Sequence, residues 1–252
     1  MQAINAYSSA LSIDNSLVHV LASRAKCFLS LREGPSCVDD CLNALFCAGI
    51  DESLQKTLEV RLALAYCLNE EYEEGRLYFQ RYSESDSEVG GCLAYLDKLV
   101  KVSDHKAKGD ACFQKGDLDE ASGYYDEALK LDPLHVKTLM NRASCRLAAS
   151  QASQCIDDCT RATGLLAAGK DFGSNEPSLL EQVLHPLAPV RRRWSVMLLI
   201  RRAKAKEAVN LLDGAREDLC AAKDLAVRLN DPSIDVKSIE KSIEGLGGLR
   251  RP

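Results

Sequence analysis

Eleven cysteines and four histidines are the side chains in this sequence with the strongest intrinsic claim to chemistry. Cys37 and Cys41 stand four apart, as do Cys155 and Cys159, and on a helix that spacing puts each pair on one face. Two such pairs have the donors for a four-thiolate zinc site. Core packing accounts for them more simply: both pairs fall where a helix needs small and medium side chains, and a buried free cysteine behaves as a small hydrophobe. No metal or other cofactor is therefore expected. The histidines, at 19, 105, 135 and 185, are scattered, and none has a ligand spacing to another. A glycine-rich phosphate loop and a Gly-x-Ser-x-Gly elbow are both missing, so the expectation is a protein that is not an enzyme. The one basic concentration is Arg191, Arg192, Arg193, Arg201, Arg202, Lys204 and Lys206. It could meet phosphate or an acidic segment, but a solvated helix face is the commoner meaning. Without interleaved aromatics it offers no stacking platform for nucleic acid.

The elements that position these groups read as helices. Apolar residues make up 46% and charged residues 27%, enough to build a core while keeping a wetted surface. A net charge of −5 gives no bulk attraction to nucleic acid or anionic membrane. Aromatics are few, and the abundance of alanine and leucine suits closely packed helices. No run reaches the roughly 18 apolar residues of a membrane span. The opening Met-Gln-Ala-Ile-Asn-Ala-Tyr lacks both a basic region and an apolar core, so it does not read as a signal peptide, and a cytoplasmic location is expected.

The segment from Lys106 to Ala162 sets the pattern. Small residues stand at Gly109, Ala121 and Ala128, where antiparallel helices must approach closely, and Phe113, Tyr125 and Leu129 fill the space between. Gly116 suits a left-handed helix end, and Asp117, with Glu120 three residues on, is placed to cap the next helix. Asp132-Pro133 stops that helix, since proline cannot continue the ladder. A second pair opens at Val136 and passes through Asn141-Arg142-Ala143 to Cys159 and Ala162. This helix-turn-helix pattern of about 34 residues resembles the tetratricopeptide repeat family.

The chain also repeats itself. With a shift of 118, Ala3, Tyr7, Ala10 and Leu11 fall on Ala121, Tyr125, Ala128 and Leu129. Arg24 and Ala25 fall on Arg142 and Ala143, and Cys37, Asp40 and Cys41 fall on Cys155, Asp158 and Cys159. The expected architecture is all-α: a superhelix of stacked antiparallel pairs in two three-repeat blocks. The first block occupies 1–86 and a connecting helix 87–104. The second block, 105–230, carries an inserted loop at 169–193, and 231–252 form a capping helix and tail. A break is expected over 83–91, an exposed loop over 169–177, and a short helix over 179–184 that ends before Pro186. The first block begins with a second helix. The face carrying Ala3, Tyr7 and Ala10 is therefore expected to meet a helix lying before Met1 or another protein.

What the resemblance implies about function is a groove lined by first helices. Many repeats of the co-chaperone type hold a peptide's C-terminal carboxylate there with lysines, asparagines and an arginine, through charge-assisted bonds. Carried over position by position, the second block keeps Lys106, Asn141 and Arg201 but has Asp110 in place of asparagine and Met197 in place of lysine. The first block offers Ser23, Thr57 and Arg61. The layout resembles multi-repeat chaperone organisers and DnaJ-type repeat proteins, although His185-Pro186-Leu187 is not the His-Pro-Asp signature of a J domain. More weakly, it is similar to the repeat region of axonemal dynein assembly factors. The resemblance implies a non-enzymatic adaptor, a co-chaperone whose protein partner is the acidic tail of a heat-shock chaperone. The alternative is a scaffold for assembly of a multiprotein complex, gripping an internal segment of its partner. Neither nucleic acid nor membrane is an expected partner.

Overall fold

The computed structural model describes residues 1–168 and 177–248. Among them the chain forms thirteen helices and no strand, and no helix is long and apolar enough to cross a membrane. Contacts divide the chain into two compact units: Met1–Val100 with Ser174–His185, and Lys101–Gly173 with Pro186–Pro252.

In the first unit, α1 (Gln2–Ile13), α2 (Val18–Leu31), α3 (Gly34–Phe46), α4 (Glu52–Leu68) and α5 (Tyr72–Tyr82) each pack on the next. The opening of α6 (Ser87–Lys115) and the short α10 (Leu179–Leu184) complete it, α10 lying against α4. Helix α10 starts with a capping box: Ser178 Oγ accepts from the Glu181 amide, and the Glu181 carboxylate accepts from the Ser178 amide. In the second unit, the rest of α6 is followed by α7 (Leu118–Leu131), α8 (Val136–Ala148) and α9 (Ala152–Ala168). Then come α11 (Ala188–Ala208), α12 (Leu212–Leu229) and α13 (Val236–Gly248). Helix α7 packs on α8, α8 on α9, α9 on α11, α11 on α12, and α12 on α13, while α11 also touches α8. Ile239 and Leu246 of α13 close the core formed by Ala203, Leu219 and Ala222, as a capping helix should.

The small residues do what close helix packing requires. Ala25, Ala44, Ala121, Ala128, Ala143, Ala162, Ala203 and Ala222 are fully buried. A Cβ on Gly109 would lie 2.7 Å from the Tyr125 ring, so only glycine admits that ring against the helix. Gly116 takes φ +88°, the left-handed end foreseen for it.

Several expectations are corrected. Asp117 occupies the N-cap of α7, but its side chain makes no capping bond. The break foreseen over 83–91 shrinks to 83–86, because Ser87 already starts α6 and both Gly90 and Gly91 are helical. The stretch from Cys92 to Val102 is not a separate connector: it runs unbroken into the helix that carries Lys106 and Asp110. Arg191, Arg192 and Arg193 lie within α11. The exposed loop foreseen over 169–177 falls, up to residue 176, outside the described residues.

Candidate peptide-binding seat

Three helices of the second unit contribute the residues singled out from sequence. Helix α6 carries Lys106 and Asp110 one turn apart, α8 carries Asn141, and α11 carries Met197 and Arg201. The side chains of the first three meet. Lys106 Nζ donates to Asp110 Oδ2 at 2.7 Å, and Asn141 Nδ2 donates to Asp110 Oδ1 at 2.8 Å. The Tyr125 hydroxyl, from α7, donates to the same oxygen at 2.7 Å. One carboxylate is thus held by a cation, an amide and a phenol drawn from three helices. Burial works against the charge on Asp110, but the bonds from Lys106, Tyr125 and Asn141 outweigh it and hold its carboxyl below the usual range. The same bond, added to burial, pushes the Tyr125 hydroxyl well up.

Arg201 does not join this cluster. Its Nη1 donates to the Met140 carbonyl of α8 at 3.1 Å, tying the two first helices together. Met197 is 43% exposed, an uncharged side chain at the position where the resemblance has a lysine. In the first unit the equivalent arginine behaves the same way, with Arg61 Nη1 donating to the Ala22 carbonyl at 2.8 Å. Ser23 and Thr57 turn their hydroxyls onto their own helix, at the carbonyls of His19 and Ser53. The structure brings none of these three onto a common carboxylate.

The phenol of Tyr125 escaped sequence reasoning, which took the residue as a space filler. Its signal was available: a buried tyrosine needs a partner for its hydroxyl, and Asp110 was the polar group within reach of its ring. A second feature also escaped. Asp40, Asp158 and Asp218 are each at most 4% exposed, and each accepts a two-pronged bond from an arginine 16 residues earlier. Arg24, Arg142 and Arg202 donate through Nε and Nη2 at 2.6 to 3.0 Å. Each Nη1 then reaches back to the second helix of the preceding repeat: Ser8, Asp126 and Thr160 respectively. Arg146 and Lys206 add a further cation to Asp158 and Asp218. Part of the basic concentration on α11 is therefore spent internally. Arg202 and Lys206 hold Asp218, Arg201 holds a carbonyl, and Arg193 lies 3.8 Å from Asp231. Arg192, Arg193 and Lys204 are exposed, so the solvated face expected there holds for part of the run.

Both cysteine pairs are fully buried in the cores. Within each pair the bond between the thiols, together with burial, pushes Cys41 and Cys159 far up, while the same bond, against burial, draws Cys37 and Cys155 down.

Residues 102–135 match the tetratricopeptide repeat family model, the stretch that carries Lys106, Asp110 and Tyr125. The chain is 24% identical over 170 residues to the stress-induced-phosphoprotein 1 of Caenorhabditis elegans, covering 61% of this chain and 53% of that protein. It is 36% identical over 67 residues to the Hsp70-Hsp90 organizing protein 1 of Glycine max, covering 27% of this chain and 11% of that protein. It therefore spans about half the length of the first of these relatives and a small part of the second. Among solved structures, the TPR domain of P58(IPK) matches with a TM-score of 0.52 at 14% identity, over 97% of this chain and 60% of that one. The shared fold is the tetratricopeptide-repeat stack.

Proposed function

We propose that this chain is a non-enzymatic adaptor of the co-chaperone type, acting in the cytoplasm, whose groove receives the acidic C-terminal tail of a heat-shock chaperone. The observation that carries this reading is the convergence of Lys106 and Asn141, from consecutive repeats, on one carboxylate. That carboxylate belongs to the chain itself, but its three donors are those an incoming carboxylate would use, and charge-assisted bonds of this kind are the strong ones. Similarity to an Hsp70-Hsp90 organizing protein supports the choice of partner. The test is fluorescence anisotropy with a labelled acidic peptide ending in a free carboxylate. Binding that disappears on amidation of the terminus and weakens in Lys106→Ala is the expected result. Binding indifferent to the terminus overturns the reading.

A second reading has its own observation. Met197 places an exposed apolar side chain in the groove where a terminal anion would want a cation. That favours a scaffold gripping an internal segment of its partner during assembly of a larger complex, and binding indifferent to amidation is its signature.

A further inference from the structure

We infer that Asp110 is the specificity-determining residue of the second unit's groove: its carboxylate occupies the anion seat from within, so an acidic tail must compete with it and is held only weakly. This rests on the adaptor reading given above. The seat has one ammonium group, and Asp110 Oδ2 already takes it at 2.7 Å. Asn141, the amide contributed by the next repeat, is turned onto Oδ1 at 2.8 Å. The Tyr125 phenol shares that oxygen and fixes the carboxylate on a third side. Arg201 is engaged with a backbone carbonyl, and Met197 adds no charge.

An incoming carboxylate therefore has two options, both unfavourable. It can displace Asp110 from Lys106 and Asn141, leaving a half-buried carboxylate without its donors. Alternatively, it can settle beside Asp110, where like charges repel across a few ångströms. Either way the acidic ligand competes with an internal one whose effective concentration is high, because both are fixed to the same scaffold.

Asparagine at 110 removes the charge while keeping the shape. Its carbonyl can still accept from Tyr125 and Asn141, and Lys106 is released to face the groove. The Asp110→Asn protein should bind the free-carboxylate acidic peptide at least tenfold more tightly than the wild type. The gain should be lost on amidation of the peptide or on adding Lys106→Ala, and it should shrink as salt rises. Tyr125→Phe serves as the control: it removes one bond to Asp110 and leaves the charge in place, so no comparable gain is expected. Circular dichroism and thermal unfolding establish that each variant is folded.

The outcomes separate the two claims. Weak carboxylate-dependent binding by the wild type, with a large gain in Asp110→Asn, supports both. Carboxylate-dependent binding that Asp110→Asn leaves unchanged or weakens overturns the role given to Asp110 and leaves the adaptor reading standing. Carboxylate-dependent binding by Asp110→Asn alone supports the role of Asp110 and overturns tail capture by the native chain. No such binding by either folded protein overturns both.

Discussion

At the scale of single residues, the seat and the interior obey the same rule: a carboxylate withdrawn from water must find donors. Asp158 illustrates it in the core, where Arg142 and Arg146 both bond to it. Asp158→Ala should cost about 3–5 kcal/mol in chemical denaturation, because it strands buried cations rather than merely deleting an attraction. Gly109→Ala tests the close approach of α6 and α7. Its new methyl would sit 2.7 Å from the Tyr125 ring, so about 1–3 kcal/mol should be lost to overpacking. The tyrosine would also be pushed off Asp110, which a change in tyrosine fluorescence would report. Sequence reading went far at this scale wherever a residue type had one purpose. Gly109 and the small alanines could be placed because packing admits nothing larger there, and Gly116 because a left-handed helix end favours glycine. Lys106 and Asn141 were named, but their common target was not, because a polar side chain can turn toward solvent or inward and the sequence carries no record of the rotamer. Arg24 and Asp40 were matched to Arg142 and Asp158 as repeat positions, while their bonding to each other waited on the helix-to-helix geometry.

At the scale of elements, helix existence was legible, and so were the ends set by Gly116, by Asp132-Pro133 and by Pro186, while other ends were not. Asp117 had the right type and the right Glu120 behind it, yet it makes no side-chain capping bond, and α7 starts without one. Asp51 does cap: its Oδ1 accepts from the Leu54 amide at 2.7 Å at the head of α4. Asp51→Ala should therefore lower stability by about 1 kcal/mol in thermal unfolding, whereas Asp117→Ala should stay within about 0.5 kcal/mol of the wild type, as surface substitutions do. The pair Gly90-Gly91 read as a breaker because glycine weakens a helix by roughly 0.5–1 kcal/mol relative to alanine. Apolar burial around it won instead: Val89, Cys92 and Leu96 are all drawn into the first unit's core, and tertiary packing routinely overrides propensity of that size.

At the scale of the whole molecule, the arginine–aspartate pair recurs on three repeats, and in the one built by α11 and α12 it gives stability a pH signature. Asp218 is buried, which by itself would raise its pKa, but Arg202 and Lys206 bring it below the ordinary carboxylate value. A group lowered on folding contributes stability above its unfolded pKa and loses it as pH falls through the folded one. Acid titration of unfolding should therefore show the wild type losing stability below the usual carboxylate range more steeply than Asp218→Asn. In the repeat built by α4 and α5 the positions 16 apart are Leu62 and Tyr78, and a different carboxylate joins the pair: burial works against the charge on Glu59 of α4, but bonds from Gln55 and from Arg81 and Tyr82 of α5 hold its carboxyl below the ordinary value. The long-range message of the sequence, a duplication with a fixed shift, was readable because it needs only residue identity. Which carboxylate joins each helix pair was not, since it depends on which side chains end up facing each other.

The third bond of each arginine has a consequence for how the stack comes apart. Arg142 grips Asp158 within its own repeat and Asp126 in the one before, so neither repeat can peel away without loosening the other. Fraying that starts at an end should advance in jumps of a full repeat, and amide protons on α7 and α9 should exchange with deuterium at closely matched rates until Arg142 is cut back to alanine.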